Sequence, residues 1–428
     1  MKTLVTPAGS NGSAVETFLF EPKLEKIVLF LLATVQFCHI MDFMILMPLG
    51  PQLMRMFSIG PTEFGWLVSA YTVAAGVSGF IVAFVIDRFD RKLALLIMFG
   101  GFVVGTIACA LAPSYELLLA ARLISGAFGG VQTAIVYAII GDTIPEERRA
   151  TAMGVLTAAF SAASVFGVPF GLFIASITTW HAPFWFMAGI ATVFWILILK
   201  FVPRLIQHMK AGDRPSPKVV VHRIVSQPHQ VHALFFIFFM MIGHFTVIPF
   251  ISPYLVKTVG FKDLELTYVY MVGGALTIFT SPWIGRWADR VGKPRVYSIM
   301  AFATLLPILL LTHMPPVPVW QALIVTAMFF VFSSGRMVPA MSMLTSSARP
   351  QNRGSFMSVV SSLQQVTAGI AALIGGMIVQ ENAEGQLIHY NYVGYCALAG
   401  SVVAIYLGSK MKTIEQVLAE NAAKEDTP

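Results

Sequence analysis

Long apolar runs separated by short polar segments fill nearly the whole chain from residue 27 to residue 409. A helix needs about 20 apolar residues to cross the hydrocarbon core of a bilayer, so each run predicts one membrane-spanning helix. Twelve helices are predicted, at residues 27–50, 63–86, 93–112, 115–142, 151–177, 183–203, 232–256, 264–285, 296–313, 318–347, 355–380 and 388–409. The fold class that this pattern predicts is an all-α polytopic membrane protein.

Composition agrees with this class and excludes an ordinary soluble protein. Charged residues make up 11% of the 428 residues and hydrophobic residues 57%, whereas soluble domains average about 25% charged residues. The three cysteines, Cys38, Cys109 and Cys396, lie in separate apolar runs, so we expect neither a disulfide framework nor a metal site. Residues 1–26 are polar and the first run is too long for a signal peptide, so no cleaved signal is expected.

Lysine and arginine are concentrated on one side of the predicted membrane. The loops and tails on the side that holds both termini carry 23 of the 28 Lys and Arg residues, and the opposite side carries 3. Cytoplasmic loops are enriched in Lys and Arg, so both termini are predicted to be cytoplasmic. The expected location is the inner membrane of the cell, as a multi-pass protein.

The chain shows signs of an internal duplication. Shifting the second half by 202 residues pairs Asp87-Arg88 with Asp289-Arg290, Phe43 with Phe245, and Asp42 with His244. The longest polar connection separates six predicted helices from six, so both copies have the same orientation and an axis along the membrane normal. The predicted domains are an N-tail (1–26), a first six-helix bundle (27–203), a linker (204–231), a second bundle (232–411) and a C-tail (412–428).

Several stretches resemble motifs of the major facilitator superfamily. Residues 83–92 (AFVIDRFDRK) and 285–293 (GRWADRVGK) resemble its loop between helices two and three, and residues 122–126 (RLISG) resemble the helix-four motif of its proton-coupled members. Residues 166–171 (FGVPFG) are similar to the helix-five motif of efflux antiporters. Asp42, with Ile45 and Pro51 behind it, resembles a helix-one signature of drug antiporters. The resemblance covers nearly the whole chain and implies the fold of the drug and sugar efflux branch, with two pseudo-symmetric six-helix bundles.

The resemblance also implies a conformational gate on the cytoplasmic side. Asp87 and Arg91 are expected to pair with the end of a neighbouring helix in one state only, and Asp142 is the expected partner of the cations. An ion pair present in one state biases a two-state equilibrium, as alternating access requires. The candidate gate residues are Asp87, Arg88, Arg91, Asp142, Asp289 and Arg290. Simple anchoring by positive charge is the alternative interpretation of these loops.

The helix-five motif supplies Gly167, Pro169 and Gly171. Small residues let helix backbones approach closely in lipid, and proline removes one hydrogen bond and favours a kink. The segment is interpreted either as a dry hinge that prevents leak or as generic tight packing.

Ionisable groups inside the predicted spans are candidates for function, because a charge at a helix centre costs roughly 2.5–3.5 kcal/mol on insertion scales. At a rise of about 1.5 Å per residue, Asp42 and Arg122 both fall in the outer half of the membrane, so they are assigned to proton coupling. The residues assigned to the substrate cavity are His39, His244, Arg336 and Gln132. Arg336 is interpreted either as a counter-ion for the substrate or as a helix-packing ligand, and both interpretations stay open.

The leading hypothesis is proton-coupled export of a small amphipathic or lipophilic compound by alternating access. Proton-coupled uptake, or efflux of a sugar or metabolite by the same fold, is the alternative. No enzyme activity is expected, since the chain contains no His-Glu-x-x-His run, Gly-x-Ser-x-Gly elbow or Walker loop. The expected partners are a small-molecule substrate, protons and the lipid bilayer, without nucleic acid, and the protein is expected to act as a monomer with no cofactor.

Overall fold

The computed structural model describes residues 22–83, 89–206, 217–349 and 353–418, which are almost entirely helical. The helices of the first half are α1 (Pro22–Ile45), α2 (Gly50–Phe57), α3 (Pro61–Ala83), α4 (Arg91–Leu111), α5 (Tyr115–Thr143), α6 (Glu146–Ala162), α7 (Val168–Ile177) and α8 (Ala182–Phe201). Those that follow are α9 (Pro217–Val225), α10 (Pro228–Phe245), α11 (Ile248–Tyr254), α12 (Asp263–Val291), α13 (Lys293–Thr312), α14 (Val319–Ser346), α15 (Arg353–Ile378) and α16 (Tyr390–Ser409). The predicted all-α membrane fold is confirmed.

Three smaller elements complete the described chain. Two π-helical turns lie at Ala163–Gly167 and Leu255–Val259. A short antiparallel hairpin joins β1 (Gln380–Glu381) to β2 (Leu387–Ile388) between α15 and α16. Helix α9 lies inside the predicted linker, and residues 207–216 of that linker are outside the described residues.

Ten segments of the described chain are long and apolar enough to span a membrane. The predicted spans at 151–177 and 264–285 are helical but are not among the ten. The first is divided by a π-helical turn and its helix α6 begins with Glu-Glu-Arg-Arg, while α12 carries charged residues at both ends. The predicted count of twelve therefore stays a prediction.

Two spans are broken at corresponding places in the two halves. Helix α1 ends at Ile45 and the chain continues as α2 from Gly50, while α10 ends at Phe245 and continues as α11 from Ile248. Pro51 lies in the first turn of α2 and Pro249 in the first turn of α11, while Pro253, which the shift of 202 residues pairs with Pro51, lies further inside α11. Proline lacks the backbone N–H that a continuous helix needs, which explains why both spans are interrupted there. Interrupted spans are typical of midplane binding sites in transporters.

The two halves contact each other along paired helices. Helix α3 of the first half runs along α15 of the second half, and α7 packs on α12. Glycines permit the close approach: a Cβ added at Gly76 would lie 2.8 Å from the carbonyl oxygen of Ser362, and one at Gly376 would lie 2.8 Å from that of Pro61. Small residues at such crossings are the usual means by which helices associate in lipid.

The apolar core differs between the two sides of the molecule. We call the side where α1 begins and α16 ends the terminal side, and the side of α2, α11 and the hairpin the opposite side. One cluster of buried apolar residues on the opposite side includes residues of both halves, among them Phe64 and Phe250, whose ring centroids are 6.0 Å apart. Towards the terminal side the described residues form separate clusters, one in the first half and two in the second. The halves thus share a core on the opposite side, where Arg55 also forms an ion pair with Asp263.

Candidate functional site

A buried ion pair joins α1 and α5 in the first half. Asp42 is near the end of α1, next to the break in that span, and Arg122 is the eighth residue of α5. Arg122 Nη1 donates to Asp42 Oδ2 at 2.8 Å and to the Asp42 carbonyl oxygen at 3.3 Å. The two residues are 0% and 1% exposed. The structure therefore brings together the two residues assigned to proton coupling.

Tyr71 of α3 holds this pair from the side, and the sequence analysis missed it. The Arg122 guanidinium lies over the Tyr71 ring, with Cζ 4.2 Å from the ring centroid. The Tyr71 hydroxyl and His39 Nδ1 are hydrogen-bonded at 2.8 Å. A Cβ added at Gly129 would lie 2.8 Å from that hydroxyl, and one at Gly126 would clash with the Tyr71 backbone. The glycines of α5 therefore make room for Tyr71, and they are the sequence signal that could have found it.

Each member of the ion pair has one buried atom without a hydrogen-bond partner. Among the described residues, Asp42 Oδ1 and Arg122 Nε are buried and accept or donate no hydrogen bond. A proton can therefore be added to Asp42 Oδ1 without displacing an existing donor. Adding it would neutralise the carboxylate and weaken its charge-assisted bond to Arg122, which is about twice as strong as a neutral hydrogen bond.

Gln132, assigned to the cavity from sequence, lies apart from this pair. It is fully buried on α5, and neither its amide nitrogen nor its amide oxygen has a hydrogen-bond partner among the described residues. Its neighbour Thr133 donates to Gln36 of α1 at 3.1 Å. Unpaired amides in a protein interior are unusual, which keeps Gln132 a candidate for binding.

A second arginine lies buried in the second half. Arg336 of α14 is 1% exposed and donates through Nη1 to Ser401 Oγ at 3.1 Å and through Nη2 to the Gly243 carbonyl at 3.3 Å. Nη2 also lies 3.4 Å from His244 Nδ1. Arginine has no acceptor atoms, so His244 Nδ1 accepts in this contact and the ring is neutral. The His244 ring stacks on Phe329, with centroids 6.2 Å apart.

A series of ring contacts connects the two clusters across the interface between the halves. Phe43, next to Asp42, lies 6.0 Å from the Tyr71 ring and 5.9 Å from the Phe245 ring. Phe245 in turn lies 5.1 Å from the His244 ring. We call Tyr71, Phe43, Phe245 and His244 the aromatic bridge. Phe43 and Phe245 are equivalent under the shift of 202 residues, so their contact joins equivalent positions of the two halves.

The candidate gate residues are only partly described. Arg91 Nε and Asp142 Oδ2 form an ion pair of 2.9 Å that joins α4 to α5 inside the first half. Asp90 caps α4 by accepting from the backbone N–H of Lys92, and it also accepts from that of Leu205. Asp87 and Arg88 lie outside the described residues. Asp289 and Arg290 are in the last turn of α12 and make no ion pair with another described residue.

The helix-five motif packs against α1 next to the ion pair. A Cβ added at Gly171 would lie 2.6 Å from Ile45 Cδ1, and one at Gly167 would lie 3.2 Å from Met41 Sδ. Pro169 falls in the first turn of α7, directly after the π-helical turn, where its missing N–H is tolerated. The motif thus sets how closely span five approaches the helix that carries Asp42.

Sequence comparison places the chain among known membrane transporters. The family model described as Major Facilitator Superfamily matches residues 32–280 and 233–426. The uncharacterized MFS-type transporters YceJ and YwfA of Bacillus subtilis (strain 168) are 25% and 28% identical, over 90% and 87% of this chain and 95% and 90% of theirs. A probable sugar efflux transporter of Helicobacter pylori (strain P12) is 23% identical over 82% of this chain and 86% of its own.

Solved structures share the fold at low sequence identity. A D-xylose-proton symporter superposes with a TM-score of 0.72 at 14% identity, covering 91% of this chain and 100% of the symporter. A bacterial homolog of the human lysosomal transporter Spinster, inward-facing and occupied, gives a TM-score of 0.71 at 15% identity, with 92% and 98% covered. At these identities the likeness concerns the fold.

Proposed function

The chain belongs to the major facilitator superfamily, and from that premise we propose that it exports a small amphipathic compound from the cytoplasm in exchange for protons. The family makes it a transporter rather than an enzyme. The observation that carries the proposal is the buried Asp42–Arg122 ion pair. Asp42 is the one acidic side chain that is buried among the described residues.

Asp42 can couple a proton to conformation through its contact with Arg122. When the carboxylate is charged, it holds Arg122, and α1 and α5 are tied together beside the break in span one. When Oδ1 takes a proton, Arg122 is released to its other neighbour, the Tyr71 ring. Tyr71 is on α3, which packs against α15 of the other half, so a change at the pair reaches the interface between the halves. A ligand or proton that differs in affinity between two states shifts their populations.

The apolar cores support an inward-facing arrangement. The halves share a core on the opposite side and have separate cores towards the terminal side. The excess of Lys and Arg on the terminal side supports a cytoplasmic, inner-membrane orientation for that side. In this arrangement the Arg91–Asp142 pair belongs to the cytoplasmic gate, and the Arg55–Asp263 pair closes the outer side.

Efflux or uptake of a sugar is the second candidate. It is supported by a relative that is called a probable sugar efflux transporter. The half-buried side chains between the two clusters favour the amphipathic substrate, because Phe43, Met44 and Phe245 offer apolar surface and few hydrogen-bonding groups.

The two candidates can be separated in everted membrane vesicles that respire and carry a fluorescent pH probe. Addition of a substrate should release protons from wild-type vesicles. We expect this response with an amphipathic probe such as phenylbutyrate and not with xylose, and we expect it to be absent in Asp42→Asn. Glu384→Gln removes an acid from the hairpin turn and is the matched control that should respond as wild type does. A response to xylose alone would replace the proposal with the second candidate.

A further inference from the structure

The buried cations of the two halves differ in how they are compensated. Three arginine side chains are buried among the described residues, namely Arg91, Arg122 and Arg336. The first two each pair with a carboxylate. Arg336 has no carboxylate partner in the described part of the chain, and its three contacts are a hydroxyl, a carbonyl and a neutral imidazole.

The sequence of the second half offers no acid that could serve Arg336 in another conformation. The acidic residues between 228 and 409 are Asp263, Glu265, Asp289, Glu381 and Glu384. They lie in the first or last turn of α12 or in the hairpin region, whereas Arg336 is the eighteenth residue of the 28 in α14. Asp42 is held by Arg122. No carboxylate of the described residues therefore neutralises the positive charge of Arg336.

Helix packing alone does not explain a guanidinium at this position. The contacts to Ser401 and Gly243 tie α14 to α16 and α10, and a glutamine amide could donate similar hydrogen bonds. A buried charge adds a desolvation penalty that a neutral donor avoids, so its presence marks a function that needs the charge. Arginine also offers two parallel N–H groups, which match a carboxylate in a bidentate arrangement.

Further features around Arg336 fit an anion with an apolar body. Ser333 Oγ, one turn before Arg336 on the same helix, and the hydroxyl of Tyr297 are buried without partners in the described part of the chain. Both could donate to an anionic oxygen. His244 is half-buried and lies between Arg336 and the rest of the aromatic bridge. A ligand that displaces the neutral His244 contact would meet the guanidinium at one end and aromatic surface at the other.

We propose that the transported compound is an amphipathic organic anion whose carboxylate binds Arg336 and whose apolar body rests on Phe245 and Phe43. This inference deepens the proposed function and rests on it for the statement that the bound compound is transported. It gives the two arginines separate tasks. Arg122 responds to the proton on Asp42, and Arg336 selects the charge of the substrate.

The test uses the full chain in lipid nanodiscs and three probes with the same body: phenylbutyrate, phenylbutanamide and phenylbutylammonium. Wild-type protein should bind the carboxylate about tenfold more tightly than the amide, a ratio that a single well-placed charge can supply. Binding of the ammonium probe should be weaker still. Equal binding of the carboxylate and the amide, or preference for the ammonium, would overturn the inference.

Variants then assign the preference to Arg336. Arg336→Gln keeps a donor without the charge and should bind the acid and the amide equally, while Arg336→Lys should restore part of the preference. Arg204→Gln removes an exposed arginine that follows α8 and is the control that should keep the wild-type ratio. A preference that survives Arg336→Gln contradicts the assignment. Because binding is measured without a proton gradient, loss of anion preference with intact proton exchange refutes only this inference, and anion binding without proton exchange refutes only the proposed function.

Discussion

The two halves of the molecule differ in how the charge of a buried arginine is compensated. In the first half Arg122 is matched by Asp42, and both are hidden from solvent. In the second half the residue equivalent to Asp42 is His244, and Arg336 beside it keeps an unmatched charge. Under the predicted duplication, the two copies therefore differ at this position, with a neutral pair in the first half and a cationic site in the second. The difference suggests that one half handles the proton and the other handles the substrate.

The arginines themselves are not equivalent in the repeat. Arg122 is the eighth residue of α5 and Arg336 the eighteenth of α14. The eighteenth residue of α5 is Gln132, which is buried with both amide atoms unpaired. The position that holds a cation in the second half thus holds a neutral amide in the first half, and the first half has placed its arginine about three turns away, against Asp42.

The largest expected effect comes from breaking the matched pair. Arg122→Gln leaves the Asp42 carboxylate buried without its cation, and loss of one partner of a buried ion pair destabilises by about 3–5 kcal/mol. We expect a strongly lowered melting temperature for the detergent-solubilised protein. The double variant Asp42→Asn with Arg122→Gln should recover most of the stability and none of the proton coupling. A single variant as stable as wild type would mean that the pair does not hold the first half together.

A smaller loss is expected at Tyr71. Tyr71→Phe keeps the ring under Arg122 and removes the hydroxyl, so His39 Nδ1 loses its partner at a cost of about 1–3 kcal/mol. Tyr71→Leu should cost more because the cation–π contact is lost as well. Melting temperatures of the two variants measure the difference, and equal values would show that the ring contact contributes little.

The aromatic bridge gives a test of the contact between the halves. Ring pairs contribute about 0.5–1.5 kcal/mol beyond the area that they bury. In a double-mutant cycle, Phe43→Leu and Phe245→Leu should therefore be coupled by about that amount when stability is measured. A control double-mutant cycle uses Phe170 and Phe186, whose rings are 5.0 Å apart within the first half and do not cross the interface. Additive effects at Phe43 and Phe245 would show that the aromatic bridge does not stabilise the interface between the halves.

The smallest effect on stability is expected at Arg336. Replacing this unmatched cation by glutamine removes a buried charge and leaves no carboxylate behind, so the lost hydrogen bonds are offset by the lower desolvation penalty. Arg336→Gln should change the melting temperature little or raise it, in contrast to Arg122→Gln. A loss as large as that of Arg122→Gln would indicate a structural role and an anionic partner that the described residues do not include.

The sequence predicted the fold and singled out several candidate site residues because each left a strong signal. Charged side chains such as Asp42 and Arg122 stand out in apolar runs, and the high cost of burying them makes them candidates. Their depth along α1 and α5 allowed a contact, but only the structure shows the 2.8 Å bond. Part of the difference between the halves could be predicted from the sequence, since the shift of 202 residues aligns Asp42 with His244.

The remaining features depend on tertiary packing that residue type does not reveal. Tyr71 lies in a span of ordinary apolar composition, so nothing in its own span marks it. Its contact with Arg122 depends on the close crossing of α3 and α5. The hydrogen bonds of Arg336 to Ser401 and Gly243 join residues more than sixty positions apart. Asp87 and Arg88 of the predicted gate lie outside the described residues.

The most direct test of the account is transport of phenylbutyrate by Asp42→Asn in reconstituted vesicles under an imposed pH difference. Accumulation is measured above that of vesicles without the protein, because a weak acid also partitions passively. We predict that wild type and Glu384→Gln accumulate the compound against its gradient. Asp42→Asn should not accumulate it, yet should still exchange internal for external phenylbutyrate when no pH difference is present. If Asp42→Asn concentrates phenylbutyrate as wild type does, the proton travels by another residue and the division of labour between the two halves is wrong.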